Sequence, residues 1–419
     1  MQKIDLRRII ENKFGRKFNN FPKFFQKLIV FSLERLFHIN QINDFIDKNK
    51  LSSGLDFIDD LFELLDFTYI MSEKNRLKIP FEGKLLCVSN HPLGGLDGMA
   101  LIKVIGAVRP DVKIVANEVL SYIENLNDFF LPLDLFSPKN QKENLKRIDE
   151  ALINDEAIIM FPAGSVSRLK LRGIRDSKWK KGVIRYSQNH QVPVLPIHVI
   201  GRNSLMFYIA SLISTELSMY LLPHELFNKK KKSIKITIGD PIPSSVFSSK
   251  LVNLTDYAKM LKKHCLKIGN NKPGILKTER NIIHPVDKKT IKSELKNSIL
   301  LNNSPDNKRL YLVNYTNAQN VVREIARLRE ITFRKVGEGT GLKADFDRFD
   351  KHYSHLLLWD DNNLEIIGSY RLGFSNEIIK NYGIKGLYNE GQFEFLDTSI
   401  EIINQSMELG RSFIQQKYW

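Results

Sequence analysis

Short apolar runs, bounded mostly by Asn or Pro, recur along the first half of this chain at residues 84–89, 113–116, 157–161 and 192–198. Runs of that length read as strands buried on both faces. Between them, residues 139–154 and 178–190 carry helical spacing, and a further apolar helix starts near Met99. Strands alternating with helices predict an α/β sheet whose loops gather at one edge. Upstream, residues 20–39 predict an amphipathic helix with Pro22 in its first turn. Phe24, Phe25, Leu28, Phe31, Leu36 and Phe37 give it a wide apolar face, with Lys23, Lys27 and Arg35 among its polar positions. Such a helix either packs on its own domain or lies on a bilayer. Residues 54–69 repeat the pattern with Asp56, Asp59, Asp60, Glu63 and Asp66, a face that anionic lipid repels.

Asn117–Asp128 reads as a helix leading into Phe129–Leu133. Residues 203–222 form a largely apolar run broken by Glu216 and several serines, which suits a buried or membrane-contacting helix but not a spanning one. Lys229 to Lys232 follow it; they suit either anionic lipid or a solvated loop before the strand Ser233–Ile238. After the helix Tyr257–Ile268, periodicity fades. Residues 269–308 read as a linker with one helix near 288–299. A new pattern then begins: a strand Arg309–Val313, a helix Asn317–Phe333, an antiparallel pair His355–Trp359 and Ile366–Leu372, and a strand Gln392–Leu396. The expected organisation is N-terminal helices over 1–75, a domain over 76–268, a linker over 269–308 and a second domain over 309–419.

Composition narrows the classes. The 419 residues carry a formal net charge of +16, which suits an anionic partner such as a membrane surface or an acidic protein. Nucleic acid is the poorer match, since the chain has no zinc-finger spacing, RNA-recognition aromatic motif or leucine zipper. Two cysteines, Cys87 and Cys265, give neither a disulfide framework nor a thiolate metal cluster, which suits a reducing compartment. The N-terminus lacks the apolar core of a signal peptide.

The candidate chemistry sits where the first apolar run stops. Asn90-His91-Pro92 ends the strand, and Gly94, Gly95 and Gly98 permit a tight turn into the next helix. His91 and Asp97 thus share a strand-to-helix loop. A carboxylate beside an imidazole can hold its tautomer and stabilise its protonated form, the arrangement a general base needs. A plain loop hydrogen bond is the commoner role of such a pair. No third ligand stands at a spacing that suits a metal.

The pair has company. Asn90-His91 with Asp97, then Phe161-Pro162-Ala163-Gly164-Ser165, then Val192-Pro193-Val194-Leu195-Pro196 occur in that order. This set resembles the signature blocks of the glycerophospholipid acyltransferase family, which includes the lysophosphatidate acyltransferases. Gly201-Arg202-Asn203-Ser204 and the block from Asp176 to Gly182 resemble its hemolysin-like branch. Five residues separate His91 from Asp97 where the family has four, as is common in that branch. Ala163 replaces a family Glu and Val166 a family Arg; Arg168 stands two residues on. That departure counts against lysophosphatidate as acceptor. Farther along, Arg329 and Phe333, Asp347 and Asp350, Gly368-Ser369-Tyr370-Arg371-Leu372 and Glu408-Leu409-Gly410-Arg411 resemble the N-acyltransferases of ornithine-lipid synthesis and, more distantly, acyl-homoserine-lactone synthases. Their fold is like that of the GNAT acetyltransferases.

The resemblance implies a glycerolipid-acyltransferase-like α/β domain, a mixed sheet flanked by helices, followed by an incomplete GNAT-like α/β domain. In the second family a strand and helix that bind pantetheine follow this point, so the chain reads as cut short. The implied activity moves a fatty acyl group from acyl carrier protein or coenzyme A thioester, a co-substrate rather than a bound cofactor, to a lysolipid hydroxyl. His91 is the expected base and Asp97 its orienting partner. Asn90, Gly94, Pro162, Gly164, Ser165, Arg168 and Arg202 are the expected substrate-binding residues, with backbone N–H groups near Gly94 or Gly164 as oxyanion donors. Arg329, Asp347, Asp350, Arg371, Glu408 and Arg411 are the second domain's candidates; ion pairs that only hold the fold are the equal alternative. The expected location is cytoplasmic, peripheral on the inner face of the cytoplasmic membrane. Two other readings stand beside this one: a bifunctional synthase of ornithine- or glycine-type lipids, and a membrane-surface binding protein without catalysis.

Overall fold

The computed structural model describes residues 7, 10, 11, 15, 18 and 20–419, apart from 118–122, 134–137, 171, 172, 394, 397 and 398. It divides into two units, Met1–Thr278 and Glu279–Trp419. The first unit opens with α1 (Lys23–Leu36), α2 (Ile39–Lys48), α3 (Gly54–Leu64), β1 (Thr68–Ile70) and the single turn α4 (Glu73–Arg76). There follow β2 (Leu85–Ser89), α5 (Gly95–Gly106), β3 (Val112–Asn117), β4 (Phe130–Leu133), α6 (Pro138–Ile153) and β5 (Ala157–Met160). A hairpin of β6 (Arg168–Lys170) and β7 (Gly173–Arg175) leads to α7 (Gly182–Asn189) and β8 (Val194–Ile200). Then come α8 (Leu205–Ile213), α9 (Thr215–Tyr220), α10 (Leu222–Phe227), β9 (Ser233–Ile238) and α11 (Leu254–Gly269).

Seven strands make one mixed sheet in the order β1-β9-β8-β2-β5-β3-β4. All neighbours run parallel except β8 and β9. Composition explains why β2 and β5 lie inside. In β2, Leu85 and Cys87 enter one core while Leu86 and Val88 enter the other. In β5, Ala157 and Ile159 oppose Ile158 and Met160 in the same way. A strand apolar on both faces is stable only where both are covered. β9 alternates instead: Ile234, Ile236 and Ile238 are buried, Ser233 and Lys235 exposed. Because β2, β5 and β8 are parallel, their C-terminal ends share one edge, where open α/β sheets place their ligands. Cys87 and Cys265 are unbonded and buried; burial pushes the Cys87 thiol up to about 12 and raises that of Cys265.

The N-terminal helices use only part of their apolar surface. In α1, Ile29, Val30, Leu33 and Leu36 pack with Phe207, Tyr208 and Ala210 of α8 and with Leu169 and Ile174 of the hairpin. Phe24, Phe25, Leu28 and Phe31 stay exposed. Pro22 precedes the first turn rather than lying in it. The apolar run 203–222 is three short helices, α8 to α10, not one. It too leaves Leu205, Met206, Ile209, Leu212 and Ile213 in solvent. Lys229 is not part of a free basic run: it is buried, 3.0 Å from Glu225 of α10, while Lys230 to Lys232 are exposed. Among the described residues no helix is long and apolar enough to cross a membrane.

The second unit comprises α12 (Lys288–Leu295), β10 (Ile299–Asn303), β11 (Lys308–Asn314), α13 (Gln319–Lys335), β12 (Ser354–Asp360), β13 (Glu365–Phe374), α14 (Ser375–Tyr382), α15 (Ile400–Asn404) and β14 (Met407–Ile414). Its five strands pair antiparallel in sequence order. Val321, Val322, Ile325 and Leu328 of α13 pack on Tyr311, Val313, Leu357, Trp359, Ile366 and Phe413 of the sheet.

Three expectations need correction. The stretch expected as a linker supplies α12 and the edge strand β10 to the second unit from residue 279 on, because Ile291 and Leu295 join that unit's core. The expected strand Gln392–Leu396 is turn and irregular chain at its described positions, with Phe393 and Leu396 in solvent. The expected helix Asn117–Asp128 falls partly on residues outside those described; residues 124–129 form a tight helical turn.

Candidate active site

β2 delivers the site. Where its main chain stops pairing, the Asn90 side chain takes over. Its Nδ2 donates to the Val199 carbonyl and its Oδ1 accepts from the Val199 N–H, both at 2.8 Å. This reciprocal pair pins the end of β2 to β8, so Asn90 is occupied within the fold rather than free for a ligand. His91 follows at once. Its Nδ1 lies 3.1 Å from Oδ1 of Asp97, with the imidazole 18% exposed and Asp97 fully buried. The approach is off the line of an ideal hydrogen bond, but the carboxylate faces Nδ1 and favours a proton there. Phe161, at the end of β5, stacks on the ring with centroids 3.9 Å apart.

The sequence builds this geometry locally. Gly94 adopts φ +99°, open to glycine and hostile to other residues. A Cβ there would come 3.1 Å from Leu222. That turn places Asp97 in the first turn of α5, where its Oδ2 accepts from the Leu93 N–H and its Oδ1 from the Gly98 N–H, each at 2.9 Å. Backbone N–H groups at a helix start favour a negative charge. Burial alone pulls the His91 pKa down; the charge of Asp97, its contact with the ring and the charge of Asp176 more than offset this, and the net shift is upward.

Asp176 and its neighbours were not among the expected site residues. Asp176 is buried just after β7. Its Oδ1 accepts from the His91 N–H at 3.4 Å and from the Ser167 hydroxyl, and its Oδ2 accepts from Trp179 Nε1 at 2.9 Å. The Ser167 N–H in turn donates to the His91 carbonyl at 2.7 Å. Buried Asn203 braces the same loop, donating to the carbonyls of Pro92 and Leu93. One sequence signal could have marked Asp176: it is the single carboxylate among eight Arg and Lys between Pro162 and His190.

The remaining candidates divide. Pro162 accepts from the Lys180 N–H at 2.9 Å, and the Gly164 N–H donates to the Phe161 carbonyl at 3.0 Å. Gly164 is therefore engaged in its own turn, which removes it as an oxyanion donor. Ser165 Oγ lies 3.3 Å from Ser177 Oγ. Val166 is buried beside Gly94, at the position where the resemblance would place an arginine. Arg168 donates to the Thr215 hydroxyl, its Nε is sealed without an acceptor, and burial lowers its pKa. Among the described residues no carboxylate pairs with it. Arg202 is exposed. No group of three or more His, Cys, Asp or Glu that could hold a metal gathers among the described residues.

In the second unit all six candidates come together, mostly by pairing with one another. Arg329 is fully buried, 2.8 Å from Asp345 and 2.9 Å from Asp350. Arg371 reaches Asp347 at 2.8 Å and Asp350 at 3.4 Å, under the rings of Phe349, Tyr353 and Tyr388. Arg411 reaches Asp345 at 2.9 Å. Glu408 accepts from the Tyr353 hydroxyl and the N–H groups of Tyr388 and Asn389. His355 lies beside Asp350 without a hydrogen bond, and burial takes its pKa down to about 4. Asp345 is the member that the resemblance did not mark.

Comparison with known proteins bears on both units. A family model described as Acyltransferase matches residues 14–270, and one described as Acetyltransferase (GNAT) domain matches residues 328–419. A lyso-glycine lipid O-acyltransferase of Bacteroides thetaiotaomicron is 34% identical over 251 residues, covering 58% of this chain and 90% of that protein. A glycine N(alpha)-acyltransferase of the same organism is 40% identical over 143 residues, 33% of this chain. The chain spans less than half of that second relative, 42% of its length. The crystal structure of a 1-acyl-sn-glycerophosphate acyltransferase from Thermotoga maritima aligns at 18% identity and a TM-score of 0.34, covering 57% of this chain and 94% of that one.

Proposed function

The chain belongs to the acyltransferase family and is an acyltransferase of the lipid type; from that premise we propose that its first unit esterifies the hydroxyl of a lyso-aminolipid, of the lyso-glycine lipid kind, with a fatty acyl group from a carrier-protein or coenzyme A thioester. The observation that carries this reading is the His91–Asp97 pair at 3.1 Å on the loop after β2. With Nδ1 turned to Asp97, Nε2 is left to take the proton of the acceptor hydroxyl. The oxygen attacks the thioester carbonyl, forming a tetrahedral oxyanion. Its collapse forms the ester, breaks the carbon–sulfur bond, and returns the proton from the imidazolium to the departing thiolate. The first turn of α5 at Gly94–Gly95 is the best-placed oxyanion donor, since helix-start N–H groups have no partner within the helix.

An acidic acceptor fits Arg168, a half-buried guanidinium beside the His91 loop with no carboxylate partner among the described residues. The exposed apolar residues of α1 and α8, with Lys23 and Lys27 among them, suit the surface of an anionic bilayer. The enzyme would then work peripherally on the inner face of the cytoplasmic membrane. In the test, His91→Ala abolishes ester formation from a thioester donor and lyso-glycine lipid while the circular dichroism spectrum is unchanged. Retention of near wild-type turnover overturns the assignment.

A second reading adds amide formation on glycine in the second unit, favoured by the match to an acetyltransferase (GNAT) domain. Incubation with glycine, a fatty acyl thioester and the chain decides it: a new N-acylglycine supports it, and its absence leaves the ester-forming activity alone.

A further inference from the structure

We propose that Asp176 is a positioning residue for His91, fixing the main chain that carries the imidazole and setting a second carboxylate charge beside that of Asp97. The proposal rests on His91 acting as the base. Its first support is a closed ring of contacts. The His91 N–H meets Asp176 Oδ1, the Ser167 hydroxyl meets the same oxygen, and the Ser167 N–H meets the His91 carbonyl. His91 is therefore held at both its N–H and its C=O. Asp97 touches only its ring. The ring of contacts ties the loop after β5 to the loop after β2, and these are the loops that bring Phe161 and His91 together.

Its second support is how the carboxylate is paired. Asp176 is buried, yet among the described residues no cationic side chain contacts its oxygens; their partners are two N–H groups and a hydroxyl. Lys170 and Lys262 bond its main-chain carbonyl instead, at 3.0 and 2.9 Å. Neutral donors hold a buried carboxylate in place without cancelling its charge. Among the described residues the charged groups that act on His91 are Asp97 from α5 and Asp176 after β7; Asp176 is faced in turn by Lys170 of the hairpin, by Lys262 of α11, which Arg175 also faces, and by His198 of β8. The two carboxylates act on the ring in the same direction.

The test uses the full chain with 15N-labelled histidine. His91 is assigned by the resonance lost in His91→Gln. In Asp176→Asn the imidazole titrates at lower pH than in the wild type, the acid limb of kcat moves the same way, and kcat falls about tenfold, as small displacements of a catalytic group do. Asp176→Glu recovers part of the loss. Trp179→Phe keeps the charge but releases one carboxylate oxygen, so kcat falls while KM and the His91 titration stay put. A folded Asp176→Asn with wild-type titration and wild-type kcat overturns the proposal. Should Asp176→Asn fail to fold, Trp179→Phe decides alone, and an unchanged kcat overturns it. If the titration moves but the activity limb does not, the Asp176–His91 contact is real but His91 is not the base, and both the proposed mechanism and the catalytic role of Asp176 fall.

Discussion

Asn90→Ala separates the two roles open to the residue before His91. In the structure both ends of its amide meet the main chain of Val199 at 2.8 Å, and Val199 is 1% exposed. Truncation leaves one buried N–H and one buried C=O without partners. Each such group costs about 1–3 kcal/mol. Water reaching the half-buried position of Asn90 moderates the sum, so the opening free energy of the β2–β8 junction should drop by about 2–4 kcal/mol. Native-state hydrogen exchange reads this directly, at the amides of Leu86–Ser89 and Val194–Ile200. A drop of that size speeds exchange there roughly thirty- to a thousandfold, with little change in α7 or β4. KM for acceptor and donor should hold, while kcat falls because His91 loses its anchor. The reasoning is refuted if exchange at these strands is unchanged and the acceptor KM rises tenfold, for then the amide serves the ligand.

The His91 pKa is raised in the folded state, so protonation of this group favours folding. That contribution is complete below the ordinary imidazole range and is lost as pH rises through the folded value. Turnover needs the neutral ring and so follows the opposite course, appearing as pH climbs through the same value. Asp97→Asn should move the acid limb of kcat/KM to lower pH and lower its plateau; a limb that stays put denies the pair its role. In the second unit, Arg329→Met removes the fully buried cation between Asp345 and Asp350, leaving them Arg411 and Arg371 as partners, and should cost about 3 kcal/mol by calorimetry; an unchanged unfolding temperature means the network does not hold the fold. Arg168→Gln should raise KM for a lyso-glycine lipid but not for its methyl ester, and an equal rise for both removes Arg168 from the head-group site. Ile209→Asp with Phe31→Asp should weaken sedimentation with anionic vesicles while leaving turnover of a micellar acceptor; wild-type sedimentation leaves the apolar face unexplained.

The architecture was legible because the main cues are local. A run such as Leu85–Val88, four apolar residues closed by Ser89, can be buried on both faces only inside a sheet, and Gly94 with Gly98 announces the turn that follows. What misled was also local. Residues 269–308 lack periodicity, yet Ile291 and Leu295 suffice to dock α12, and β10 is held by main-chain pairing that needs no apolar pattern. An exposed edge strand of Asn and Leu leaves little in sequence to distinguish it from a linker.

The site shows the same limit from the other side. His91 and Asp97 lie on one turn, so their spacing alone brings them together. Asp176 lies far along the chain from His91, and nothing in the intervening residues says that a hairpin will fold back and present it to that amide. The contacts that hold a catalytic group in place can come from any segment the topology returns to the same edge of the sheet. Ser167, Asp176, and Val199 with Asn203 do so from three segments. A motif therefore reports which side chain can react. Which residues keep it in position follows only from the sheet order, here β8-β2-β5, that brings three strand ends side by side.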